Sequence, residues 1–150
     1  RPREGDFCYS SDELRQMHND IRYFSNLGVF GVVFGVLNEN NSIDVQTVNF
    51  LVESASDLNC TFHKAIDETD DIVSQLNILI KYSKISSILS SGCSKSALSG
   101  STVLQNMIKI AKKDMSIICA GSITHRNFSE VHGLINAKEY HGKNIIDLSK

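Results

Sequence analysis

One pattern constrains this chain more than any other: a short β-branched run followed by an amphipathic helix, repeated at a period of roughly 25 to 30 residues. Leu14, Met17, Ile21, Phe24 and Leu27 recur at helical spacing. Ser10 or Ser11 is placed to cap that helix, with Asp12 and Glu13 in its first turn and Gly28 just past its end. Val29 to Phe34 then reads as a buried strand and Asn38 to Ser42 as a polar loop. Val45, Val48, Leu51, Val52 and Ala55 mark a second helix, Cys60 to Ala65 a strand, and Ile72, Val73, Leu76, Leu79 and Ile80 a third helix. Ser87 to Ser90 is a strand, and a small-residue loop from Ser91 to Gly100 leads to a helix through Val103, Leu104, Met107, Ile108 and Ala111. Met115 to Cys119, a helix around Phe128, Val131 and Leu134, and a last strand at Lys138 to His141 complete the series.

Serial strand–helix units build a parallel sheet, since each helix returns the chain to the starting edge by a right-handed crossover. Two architectures share that pattern, an open doubly wound sheet and a closed (β/α)8 barrel, and periodicity does not choose between them. Five strands are visible, and Arg1-Pro2-Arg3 has the look of a segment trailing from a sixth. A complete barrel needs about 250 residues. A barrel of this length is therefore incomplete, with unpaired edge strands that favour association into a homo-oligomer.

The composition is that of an ordinary globular domain, with 41% hydrophobic and 21% charged residues among 150. A net charge of −2 gives no electrostatic reason to expect nucleic acid or an anionic membrane as partner. No run approaches the roughly 18 apolar residues of a membrane span, and the first residues carry no apolar core of a secretory signal, so a cytoplasmic location is expected. Cys8, Cys60, Cys93 and Cys119 form no CxxC pair, which argues against a zinc finger or a dithiol redox motif.

Several short strings stand in register along the chain: Arg1-Pro2-Arg3 with Gly5-Asp6-Phe7 and Tyr9; Gly31-Val32-Val33-Phe34-Gly35; Thr61-Phe62-His63 with Ala65 and Asp67; Ile88-Leu89 with Ser91-Gly92; and Glu139-Tyr140-His141. Together they resemble the CutC copper-homeostasis family. The resemblance implies a TIM-type (β/α)8 barrel, incomplete here with about five to six units, a single domain over residues 1–150, and two opening βα segments before Arg1. It also implies a cytosolic protein that binds or responds to copper, with copper ion as the candidate cofactor. The chain departs from the family pattern at Lys64, where an arginine is usual, and at Ala120-Gly121-Ser122, where a glycine-rich string is usual.

In parallel barrels, ligands meet the C-terminal ends of the strands. Arg1, Arg3, Asp6, His63, Lys64, Asp67, Ser91, Gly92, Gly121, Ser122 and His141 all fall near such ends. His63, Asp67 and His141 are the candidates for catalytic groups; Arg1, Arg3, Asp6, Lys64, Ser91, Gly92, Gly121 and Ser122 are the candidates for holding a small anionic ligand. Asp67 with Thr69 also suits a plain helix cap, and a lone histidine in a strand is commonly a satisfied core residue. Lys64 and Asp67 are near enough in sequence to set the protonation of His63. His63, His141, Cys8 and Cys93 are the candidate metal donors, Cys8 and Cys93 offering soft thiolates for copper(I), while Cys60 begins a strand and lies at the other end. The serine-rich run from Ser90 to Ser96 suits an anion held by backbone amides and Lys95, or a mere connection, and lacks the phosphate-loop spacing. Three functions remain in view: copper homeostasis, a barrel enzyme acting on a small anionic or phosphorylated metabolite, and an inactive shortened barrel.

Overall fold

The computed structural model describes residues 1–147. Five helices alternate with five strands: α1 (Ser11–Asn26), β1 (Gly31–Phe34), α2 (Val45–Ser54), β2 (Asn59–Phe62), α3 (Ile72–Leu79), β3 (Ile85–Ser90), α4 (Ser101–Ala111), β4 (Ser116–Cys119), α5 (Phe128–Ile135) and β5 (Glu139–Tyr140). All strand pairs are parallel and the spatial order is the sequence order, β1-β2-β3-β4-β5. A doubly wound sheet reverses its order at a switch point; this sheet has no reversal. The sheet is singly wound, as in a barrel wall, and both outer strands are open among the described residues.

Alternation along the strands explains which face is covered. Phe34, Phe62, Ile88 and Ile117 stand in register across β1 to β4 and are buried, as are Cys60 and Ile85 one row below. They pack beneath the helices with Leu51, Leu76, Leu79, Leu104 and Met107. Full burial of a side chain such as Phe62 contributes about 1.5–3 kcal/mol. The opposite face carries Val33, Thr61, Ser116 and Ile118 and borders an open concavity of about 600 Å³. Val33 there is 57% exposed and Phe30, just before β1, is 88% exposed. A hydroxyl pair, Thr61 Oγ1 and Ser87 Oγ at 2.7 Å, and a bond from Ser116 Oγ to Glu139 bridge neighbouring strands on that face.

The element ends follow local chemistry. Ser10 caps α1 in a capping box with Glu13, and Gly28 at φ +70° sits just past the C-cap Leu27. The first strand starts at Gly31 and not Val29, and the second ends at Phe62 and not Ala65. The chain turns there because His63 Nδ1 accepts the Ala65 N–H at 3.2 Å and opens a 3₁₀ helix, Lys64–Glu68. His63 is thus a strand-end residue, not a mid-strand one. Asp71 and not Asp67 caps α3, accepting from Val73 N and Ser74 N at 3.1 Å each. No helix among the described residues is long and apolar enough to cross a membrane.

Candidate functional site

The C-terminal ends of β2 and β3 meet through one carboxylate. Asp67, with its side chain 8% exposed, accepts from Ser91 N at 2.8 Å, from Cys93 N at 3.2 Å and from the Ser90 hydroxyl, with Lys64 Nζ at 3.8 Å completing the surround. Ser91 Oγ lies 2.9 Å from the same carboxylate and 2.7 Å from Ser94 O, and its one proton serves either. The amides that sequence alone assigns to an external anion at Ser91 and Gly92 are therefore engaged within the chain, the Gly92 N–H donating to Ser90 Oγ at 2.9 Å. Lys95 is exposed.

His63 stands beside this cluster. Because Nδ1 accepts a hydrogen bond, the neutral ring carries its proton on Nε2, and that atom is buried without a partner. The ring packs 4.8 Å from Phe7 and 6.2 Å from Phe62. Burial, joined by the positive charge of Arg1, holds its pKa down at about 4. The causes are not Lys64 and Asp67, which sequence proximity singles out. Gly35 makes the packing feasible, because a Cβ there would lie 2.4 Å from His63 Nδ1. Glycine at this position was visible in the sequence; the ring it admits was not.

The arginines play different parts. Arg3 is a brace: it bonds Glu13 at 2.6 Å, Asp6 at 2.8 Å and the Cys8 carbonyl at 2.7 Å, and lies over the Tyr9 ring. That network ties the first residues to the start of α1, and Asp6 is held with its carboxyl below the usual range mainly by Arg3. Arg1 is freer, stacked over Phe7 with its guanidinium carbon 5.2 Å from the ring centre. Glu13, the second carboxylate partner of Arg3, reads in sequence only as an acidic residue in the first turn of α1.

At the far side of the rim, Gly121 (φ +108°) and Ser122 (φ +55°) form the turn after β4. Gly121 touches the β3 loop, since a Cβ would lie 2.9 Å from Ser91 Cβ. The Ser122 carbonyl accepts from Asn127 Nδ2 at 2.9 Å. His141 follows β5 with an exposed side chain, its backbone N–H bonded to Cys119 O at 2.9 Å.

The donor chemistry does not fit a copper ion held by these residues as they stand. No group of three His, Cys, Asp or Glu is placed to hold a metal among the described residues. The lone pair of His63 Nδ1 is engaged and Nε2 carries the proton. Cys8 and Cys93 are both exposed, but burial and the nearby Asp67 charge push the Cys93 thiol up, away from the thiolate that copper(I) prefers. Cys60 and Cys119 are buried, their thiols raised to about 11 and about 12 by burial.

Comparison with known proteins agrees with the geometry. A family described as the CutC family matches residues 1–146. A Mesorhizobium japonicum protein described as a family protein CutC is 38% identical over 94% of the chain, and a human copper homeostasis protein cutC homolog is 36% identical over 94%. The chain spans 54% and 52% of those two relatives, about half their length. The crystal structure of the putative copper homeostasis protein CutC from Streptococcus agalactiae superposes with a TM-score of 0.91 at 27% identity, covering 97% of this chain and 71% of that one. A singly wound parallel wall, strand-end motifs in register and a family match across residues 1–146 lead to one conclusion: the chain belongs to the CutC family.

Proposed function

We propose that this chain serves copper homeostasis, as part of a barrel domain whose working face is the rim at the strand ends. The observation that carries the reading is family membership across residues 1–146, with relatives in Dictyostelium, human and mouse that are named copper homeostasis proteins. His63, His141, Cys8 and Cys93 form no ready coordination set, so copper enters this reading as cargo or signal and not as a resident cofactor of these four residues. The direct experiment deletes the gene in its own host and scores growth across a range of copper concentrations. Altered tolerance, restored by the reintroduced gene, is expected; unchanged tolerance and unchanged cell copper would sink the reading.

A second reading, binding or turnover of a small anionic metabolite, draws on one observation: the Phe7 ring is flanked by the half-buried His63 and by the guanidinium of Arg1, with Lys64 next to His63 in the chain. The cations would steer an anion to this strand end. Thermal shift with phosphate and phosphorylated metabolites checks it. Stabilisation lost in Arg1→Ala supports the reading, and an absence of any shift removes its basis.

A further inference from the structure

The loop after β3 is shaped around a point where donors converge. The N–H groups of Ser91 and Cys93 and the hydroxyl of Ser90 all aim at the Asp67 carboxylate. Convergent amides of this kind are the usual backbone means of holding an oxyanion. Much of the shape is built without Asp67. Ser90 Oγ accepts the Gly92 N–H, Ala97 N donates to Gly121 O at 2.9 Å, and Gly100 N donates to Ser96 O at 3.0 Å. Gly92 (φ +69°) and Cys93 (φ +54°) take left-handed conformations in succession. Gly92, Gly100 and Gly121 leave no room for a side chain, a Cβ at Gly100 falling 2.0 Å from Ser91 O and one at Gly92 falling 2.4 Å from Gly100 O.

We propose that the β3 loop is a binding cradle for a single carboxylate, and that this chain fills it with its own Asp67, which acts as an intramolecular ligand that positions Cys93 and closes the loop to external anions. The proposal is independent of the copper and metabolite readings. Asp67 reaches the cradle from the 3₁₀ helix that His63 opens, so it joins the ends of β2 and β3. A tethered carboxylate competes at a high effective concentration, and external carboxylates do not displace it in the intact chain. Removing only the carboxylate leaves a space of the size of formate, which acetate fills less well and propionate worse.

The test is chemical rescue of Asp67→Ala, read two ways. Melting temperature is measured in sodium formate, acetate, propionate and chloride at matched ionic strength. Alkylation of Cys93 by iodoacetamide is followed by peptide mass spectrometry, with the exposed Cys8 as internal reference. The variant should melt about 10 °C lower. Formate should restore part of that loss in the order formate, acetate, propionate, and leave the unmodified protein unmoved. Cys93 should react about tenfold faster in the variant, because the loop is released and a neighbouring negative charge is gone. Formate should slow that reaction again while Cys8 stays constant. Formate acting no differently from chloride on the variant, or stabilising the parent equally, overturns the proposal. If Asp67→Ala does not fold, Asp67→Asn decides: it keeps the shape but offers one acceptor oxygen in place of two, so an unchanged Cys93 rate overturns the proposal as well.

Discussion

The two sides of the rim are held by different means. Over β2 and β3 a nearly buried carboxylate gathers two backbone amides, a hydroxyl and a lysine. After β4 one amide side chain shapes the loop, Asn127 Oδ1 accepting from Thr124 N at 2.8 Å and Asn127 Nδ2 donating to Ser122 O, and a backbone bond from His125 N to Asn144 O at 2.9 Å joins it to the segment after β5. The first arrangement shields Ser90 and Ser91 from water, so loss of the carboxylate leaves their donors orphaned; the second is half-open, and water replaces what is removed. The contrast explains why Ser91 is fully buried whereas Ser122 and His141 are exposed.

Four measurements bear on that contrast. Asp67→Ala should cost the most, about 3–5 kcal/mol in denaturant unfolding, arising mainly from the unpaired Ser91 amide and Ser90 hydroxyl, because Lys64 is half-exposed and its pairing is screened. A loss no larger than that of an exposed residue would erase the distinction between the two sides.

His63 tests the same side through pH. Its folded pKa of about 4 lies below the unfolded value near 6.5, so the unfolded chain binds more protons between them. Its contribution is complete above pH 6.5 and falls as the pH drops toward 4, by up to about 3 kcal/mol. Depressed carboxylates such as Asp6, Glu13 and Asp71 lose their share only at still lower pH. Unfolding curves collected from pH 7 to 5 should therefore slope in the parent and flatten in His63→Gln. Parallel curves would remove burial as the cause.

Asn127→Ala should cost about 1–2 kcal/mol, measurable as a lowered denaturant midpoint with an unchanged slope. His141→Ala should fall within about 0.5 kcal/mol of the parent, as a solvated side chain does. A large loss there would mean that the β5 end is braced in a way that its exposure does not suggest.

Much of the fold was legible because hydrophobic period is a local property. Helix positions such as Met17, Ile21, Leu76 and Met107 turned out buried where spacing put them, and Gly28 ended α1. Boundaries set by a side chain folding back on its own backbone were not legible. Cys60 to Ala65 reads as one strand, and the bond that Ala65 N–H donates to His63 Nδ1 turns the chain after Phe62. Site residues were recognisable as a set at strand ends, but their pairings were hidden, since Asp67 and Ser91 lie far apart in sequence and no periodicity links them.

Sequence by itself determined the alternation of elements, the parallel sheet and the family, because those depend on side-chain pattern and on short strings read in register. Tertiary structure alone decided the strand order, the neutral state of His63 and the capture of Asp67 by the β3 loop. Each of these depends on which distant groups share a water-poor space, and burial converts a weak polar preference into a fixed arrangement.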